Sequence, residues 1–267
     1  MTKFLANFIN LLIQFLTFLL PRWKRLTVRA RLYDRLQPFE TINVGGKELN
    51  LFIPDRTCVY WAKEGPESEP TTNAWINSFE KGDTFLDIGA NIGLYSMMAA
   101  LKGITKVYAI EPNPFSFAVL SRNIVSNGLD TSIVPFCLAM SEKSSMVTFK
   151  LGGLHAGSIH NFISADESHP DGISISTAAF SLDELIHAQG ISRVNHLKID
   201  VDGLEIKILQ GATELLSAST LKSVLVEDNS DKKSEDSDLV ILMEKFDFIQ
   251  TNNWGTDTTD NRIFIRT

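Results

Sequence analysis

The stretch FLDIGANIGLYS, Phe85 to Ser96, decides the fold. An apolar run ends at Asp87, and Gly89 and Gly93 follow four residues apart. A short apolar run bounded by turn residues reads as a buried strand, here Thr84–Asp87, and a helix follows over Gly93–Leu101. Working outward, the alternation repeats. Strand Lys106–Glu111, helix Pro114–Asn127 and strand Ser132–Cys137 come next. Later come helix Leu182–His187, strand His196–Asp200, helix Leu204–Leu215 and strand Ser223–Glu227. A helix near Asp238–Lys245 precedes two last strands, FDFIQ and RIFIR. Strands and helices at this spacing build βαβ units. The expected fold class is therefore α/β, a mostly parallel sheet with helices on both faces. Ligands of such sheets sit beyond the carboxyl ends of the strands, where strand order reverses.

Before this alternation, TINVGGKELNLFI (Thr41 to Ile53) predicts a hairpin around Gly45-Gly46. Residues 54–70 hold Pro54, Gly65, Pro66 and Pro70 and read as a loop, followed by helix Thr71–Glu80. Residues 146–180 read as an irregular insertion with one or two short strands, placed to carry acceptor specificity. The expected organisation is a domain over 41–267, with the hairpin as annex, preceded by a distinct segment at 1–40.

The chain has 267 residues, 44% hydrophobic and 21% charged, which is folded rather than disordered material. A net charge of −7 argues against nucleic acid as a partner, because phosphate backbones require a basic face. Cys58 and Cys137 are the only cysteines and lack metal-ligand spacing, so neither a disulfide framework nor a zinc site is expected.

The N-terminal segment departs from this average. FLANFINLLIQFLTFLL (Phe4 to Leu20) is apolar, and PRWKRLTVRARLYDRL follows with Arg22, Lys24, Arg25, Arg29, Arg31 and Arg35. Lys3, Asn7, Asn10, Gln14 and Thr17 fall within one arc of roughly 80° on a helix. A narrow polar stripe on an apolar helix, then a basic run, predicts contact with a membrane surface through residues 3–35. Packing against the domain or in a homo-oligomer, and spanning a bilayer at the short limit of length, are the alternatives. The sequence Pro-Arg-Trp-Lys after the apolar part disfavours a cleaved signal. The expected location is the cytoplasm, attached to the inner face of the membrane by this helix.

At the first βα turn, Gly89 and Gly93 permit close approach of backbone to a ligand. Their spacing is neither the dinucleotide fingerprint nor a Walker loop. Asp87 suits a ligand with a cationic end. One strand later, VYAIEP places Glu111 where an acid accepts from both hydroxyls of a ribose. A cationic amino acid at one turn and a ribose at the next describe S-adenosylmethionine.

FLDIGANIGLYS, VYAIEPNPFSFAVLSRNI, FSLDEL and HLKIDVDGLEIKILQGATELL resemble the FkbM-type S-adenosylmethionine-dependent methyltransferases, over about Glu69 to Asn229. The resemblance implies a Rossmann-like class I methyltransferase fold of seven strands, the last antiparallel. It implies O-methylation of a hydroxyl, with a sugar, glycan or glycolipid precursor as the expected acceptor. By the same resemblance, Asp87, Gly89, Ala90, Asn91 and Gly93 hold the methionine part. Glu111 holds the ribose, Pro112 and Asn113 shape that turn, and Cys137 to Ala139 lie near the adenine. Glu69 matches an acid that precedes the first helix and closes the site. The family's DVEG reads DVDG here, with Asp202 for Glu.

Methyl transfer to an aliphatic hydroxyl needs alignment and a base or metal ion. In LKIDVDG, strand alternation puts Lys198 and Asp200 on one side at the carboxyl end. Asp200 is the leading catalytic candidate, with Lys198 beside it. A helix cap is the competing role for Asp200, although Asp202 fits a cap better. LVEDNS ends the next strand, and Asp200, Asp228 and Asn229 offer the oxygen donors of a Mg²⁺ site. His155, His160 and His169 lie in the insertion, where His155 is a candidate base, and His187 and His196 read as structural. Trp61 and Trp75 are read as core residues before stacking ones. Two competing classes are a non-catalytic binding scaffold of the same fold and an NAD-dependent oxidoreductase, which the glycine spacing disfavours.

Overall fold

A computed structural model describes residues 1–157, 162–164, 173–201, 203–228, 237–255 and 260–267. The chain divides into two compact units, Met1–Phe39 and Glu40–Thr267. The first contains helices α1 (Thr2–Thr17) and α2 (Arg22–Arg35).

The expected hairpin follows, β1 (Phe39–Val44), which begins at the unit boundary, and β2 (Lys47–Phe52). Residues read as loop then form helix α3 (Arg56–Glu64). Asp55 starts it, its side chain accepting from the amides of Thr57 and Cys58. That cap outweighs the surrounding prolines. Next come α4 (Pro70–Asn77), β3 (Thr84–Ile88), α5 (Leu94–Leu101), β4 (Lys106–Ile110), α6 (Pro114–Ser126) and β5 (Ile133–Phe136).

The insertion is more ordered than its sequence suggests. Strands β6 (Ala139–Met140), β7 (Ser145–Leu151), β8 (Phe162–Ser164) and β9 (Ile173–Phe180) form a sheet in the order β6-β9-β7-β8. SMVTFKL and ISISTAAF are rich in β-branched and aromatic residues, which the intervening Gly and His residues obscure in a linear reading. Helix α7 (Leu182–Ala188) and strand β10 (His196–Ile199) follow. The helix expected over Leu204–Leu215 is two, α8 (Glu205–Gln210) and α9 (Thr213–Ser217). At Gly211, between them, an added Cβ would lie 2.7 Å from the Glu142 carbonyl oxygen and 2.8 Å from that of Ser141. The chain breaks there to press its backbone against the insertion. Strand β11 (Ser223–Glu227), helix α10 (Asp238–Glu244), β12 (Phe248–Thr251) and β13 (Asn261–Arg266) complete the unit.

The main sheet runs β12-β13-β11-β10-β3-β4-β5, with β13 antiparallel to both neighbours and the remaining pairs parallel. This is the doubly wound, seven-stranded arrangement expected of the class I methyltransferase fold. Alternation along the central strands feeds two cores. Phe85 and Leu225 face one, with residues of α4, α5 and α6. Leu86, Ile88, Leu197, Ile199, Val224 and Val226 face the other, with residues of α7 to α10. Strand order turns between β3 and β10, so the carboxyl ends of these strands frame the ligand crevice.

At the opposite, amino ends, a buried polar knot closes the sheet. His196 bonds Ser223 Oγ through Nδ1 at 2.8 Å and Asp83 Oδ2 through Nε2 at 2.9 Å. Trp75 Nε1 donates to the same Ser223 oxygen at 2.8 Å, and Phe79 stacks on the imidazole at 3.8 Å. Burial holds His196 below the ordinary imidazole range, although Asp83 opposes this. A buried base with a depressed pKa refuses the proton that the unfolded chain accepts. Its stabilising contribution is present above the ordinary pKa and is lost as pH falls below about 6.5. Urea unfolding of wild type and His196→Gln is expected to show a wild-type advantage that shrinks from about pH 7.5 to about pH 5.5. An advantage independent of pH would show that His196 is not neutral in the fold.

Candidate functional site

A cavity of about 310 Å³ lies at the carboxyl ends of β3, β4 and β10. The first βα turn forms its floor. The amides of Gly89 and Ala90 both donate to the Ile110 carbonyl, each at 3.0 Å, which ties the turn to β4. Gly89 has φ +81°, and a Cβ there would lie 1.8 Å from the Asp200 carbonyl oxygen. Only glycine lets the turn lie against the exit of β10. Asn91 also adopts a left-handed backbone, φ 51°, and its side-chain oxygen is buried without a partner.

Glu111 is fixed by backbone at both oxygens. The Asn91 amide donates to Oε2 at 2.8 Å and the Asn113 amide to Oε1 at 2.8 Å. Burial pushes its carboxyl up to about 7, and the two amides pull the other way. The group therefore stands at the boundary between charged and neutral forms near physiological pH.

Lys198 is 1% exposed and donates to Asp200 Oδ2. Burial alone would lower its ammonium, but Asp200, Asp87 and Glu69 together hold it above the ordinary lysine range. Its Nζ lies 5.2 Å from the centre of the Tyr95 ring. Tyr95 is 7% exposed and its hydroxyl is buried without a partner. Burial, reinforced by the charge of Glu69, raises the phenol, so it remains a donor. Glu69 is held at Oε2 by Thr72 Oγ1 at 2.8 Å and Asn261 Nδ2 at 3.0 Å.

Of the residues expected at a cofactor, Glu69, Gly89, Ala90, Asn91, Glu111, Pro112 and Ala139 line the cavity, together with Lys198 and Asp200. Asp87, Gly93 and Asn113 stand behind it as supports. Asp87 is buried and accepts from Ser96 Oγ at 2.5 Å, with Oδ1 unpartnered. Burial raises its carboxyl, and Lys198 and Ser96 offset this only in part. Gly93 is the N-cap of α5, and Asn113 caps α6 by accepting from the Phe115 amide at 3.0 Å. Met140, Phe149, Ile163 and Tyr95 line the cavity without having been singled out. Tyr95 was hidden in the apolar face of α5, and Phe149 and Ile163 in an insertion read as irregular. Trp61, read as core, lines the cavity and donates to the Gly157 carbonyl at 3.4 Å.

Of the expected Mg²⁺ ligands, Asp200 and Asp228 are each engaged by a cation. Asp228 is paired with Arg262 Nε at 2.9 Å, and Lys198 engages Asp200. Asn229 and Asp202 lie outside the described residues, as do His160 and His169. Among the described residues, no group of three His, Cys, Asp or Glu is placed to hold a metal. His187 is an exposed partner of Glu214, and His155 is exposed away from the cavity lining.

The Methyltransferase FkbM domain matches residues 87–251, well over half the chain. The chain belongs to the FkbM methyltransferase family. The matched span holds the first turn, Glu111 and the Lys198–Asp200 pair, and leaves Glu69 and Asn261 outside. Among FkbM-type relatives, the hexuronic acid methyltransferase AglP of Haloferax volcanii is 29% identical over 59% of this chain and 62% of that protein. The 31-O-demethyl-FK506 methyltransferase FkbM of Streptomyces tacrolimicus is 28% identical over 50% of this chain and 60% of that protein. The chain thus spans about three fifths of the length of these relatives. A SAM-dependent methyltransferase from Agrobacterium tumefaciens aligns over 85% of this chain and 69% of that one, at TM-score 0.46 and 13% identity.

The contact at Gly89 generates a prediction. Gly89→Ala must displace the exit of β10 and is expected to cost more than about 4 kcal/mol. Gly103→Ala, at φ +86° with nothing within 4 Å of an added Cβ, should cost only the left-handed penalty of about 1–2 kcal/mol. Chemical denaturation of both variants makes the comparison, and equal losses would remove the special role of Gly89.

Proposed function

We propose that this chain transfers a methyl group from S-adenosylmethionine to a hydroxyl of a sugar, glycan or glycolipid precursor. One observation carries the reading. A carboxylate locked by two amides, Glu111, shares a cavity with Lys198 and the acids around it. Asp87, Asp200 and Glu69 formally set three carboxylates against that one ammonium. The excess of negative charge suits a ligand carrying both a sulfonium and an α-ammonium. The partnerless oxygens of Asp87, Asn91 and Tyr95 fit the same ligand, because buried polar atoms are rarely left unsatisfied.

In this reading Glu111 accepts from the ribose hydroxyls, and Ala139 and Met140 border the adenine. Bound there, the cofactor supplies an electrophilic methyl group on a charged sulfur. Asp200, with its side chain 30% exposed at the cavity, takes or orients the proton of the acceptor hydroxyl. Lys198 is a positioning residue. Its amine is held protonated, so it orients Asp200 by donating to Oδ2 instead of acting as a base. Trp61, Phe149 and Ile163 offer an apolar wall on the insertion side for the acceptor. The printed names of the relatives, one acting on a hexuronic acid and one on a 31-O position, support an oxygen acceptor and favour a sugar.

Two measurements test this. Glu111→Ala is expected to weaken S-adenosylhomocysteine binding by about 1.5–3 kcal/mol, the scale of hydrogen bonds to a charged group. In the wild type only the ionised Glu111 accepts from both hydroxyls. Affinity should rise from about pH 6 and level off near pH 8, falling about tenfold per unit well below 7. Calorimetry showing a flat profile, or an unchanged variant, would remove Glu111 from the site. Asp200→Asn should lower turnover at least about 10²-fold with little change in cofactor affinity. Turnover is read as label transfer from the cofactor to hexuronic acids and other sugars, and turnover within a fewfold of wild type would leave Asp200 without a chemical role.

A further inference from the structure

Residues Met1–Phe39 form a unit to which methyl transfer assigns no role. In α1 only Thr17 is buried, its hydroxyl turned back to the Ile13 carbonyl at 2.7 Å. Phe4, Phe8, Leu12 and Phe15 are each at least 45% exposed. Outside the stripe from Lys3 to Thr17 this helix is apolar nearly all round, a patch beyond what soluble surfaces tolerate.

The chain turns after Leu20, and α2 starts from Pro21. Its face is of a different kind. Trp23, Leu26, Ala30 and Tyr33 recur at i, i+3, i+7 and i+10, which places them on one side. Trp23 is 76% and Tyr33 65% exposed. Around them stand six cations, Arg22 through Arg35, with Asp34 the helix's one acid. With Lys3 the unit carries seven cations and one acid, a net +6 in a chain of net −7, so residues 40–267 carry −13. The positive charge is concentrated where the apolar surface is exposed. Trp and Tyr favour headgroup depth, and cations favour an anionic leaflet.

Length excludes the other way of meeting lipid for these helices. The sixteen residues of α1 rise about 24 Å, short of a hydrocarbon core of about 30 Å. No described helix is long and apolar enough to cross a membrane.

We propose that residues 1–39 are a two-helix anchor lying in the plane of an anionic lipid surface. Helix α1 sets its apolar face among the acyl chains, and α2 lies at headgroup depth with its cations on lipid phosphates. The proposal is independent of the methyl-transfer reading.

The test is flotation of the full chain with vesicles of phosphatidylcholine alone and of phosphatidylcholine with phosphatidylglycerol. The protein should float with the anionic vesicles and weakly or not at all with the neutral ones. Replacing α2 cations by Gln should weaken partition about fivefold per cation. Phe8→Asp with Leu12→Asp should abolish flotation while thermal unfolding of the remaining chain stays unchanged. Binding should shift tryptophan emission to the blue, and Trp23→Phe should remove that shift. Protein that stays soluble with anionic vesicles overturns the proposal. So does flotation that survives both sets of substitutions, or a solution dimer that Phe8→Asp with Leu12→Asp dissociates, which would make the face a subunit contact.

Discussion

A single ammonium buried at the exit of a β-strand organises this protein's site. Lys198 stands beside Asp87 in the parallel register of β10 and β3, so the two side chains share one face of adjacent strands. Two residues further on, the chain supplies Asp200 as its hydrogen-bond partner. A lysine that is 1% exposed is stable only among carboxylates. The same ammonium partly offsets the burial of Asp87. The arrangement fixes the relative height of β3 and β10, and with it the gap over which the first βα turn passes. Gly89 completes the constraint by seating that turn against the Asp200 carbonyl.

The two ends of the sheet handle buried polarity in opposite ways. At the amino ends, His196, Asp83, Ser223 and Trp75 satisfy one another in a closed set. At the carboxyl ends, oxygens of Asp87, Asn91 and Tyr95 remain unsatisfied, and Glu111 is held near the midpoint of its titration. Both sets occupy the same strands, since His196 and Lys198 lie two residues apart on one face. A fully satisfied network stiffens a fold, whereas a partly satisfied one is suited to a ligand. The contrast supports the proposed placing of the site at the carboxyl end without reference to any relative.

Much of this was legible in the sequence because apolar runs and turn glycines report local structure directly. The parallel strands, the helices between them and the acids ending β3 and β4 follow from such signals. What was not legible depends on partners distant in sequence. Asp87 read as a ligand contact, and nothing in the sequence signals that one of its oxygens accepts from Ser96 or that Lys198, a residue of another strand, stands beside it. Asp228 looked like a metal ligand until the antiparallel β13 brought Arg262 beside it. Helix α3 was masked by prolines because its Asp55 cap is a weaker signal than they are. The strands of the insertion were masked by the glycines and histidines among them.

The insertion sheet shares no strand with the seven-stranded sheet. Its contacts with the rest of the unit include Gly211 against the Ser141–Glu142 backbone, the Ala156 amide on Asp55 at 3.0 Å, Gly157 between Ser116 and Trp61, and the Ser181 amide on Ser144 Oγ at 3.2 Å. None of these lies on Glu111 or on the Lys198–Asp200 pair. The strand pairing of the seven-stranded sheet is thereby complete without the insertion. A change of length between β7 and β8 therefore leaves that pairing, and the two backbone amides that hold Glu111, uninterrupted.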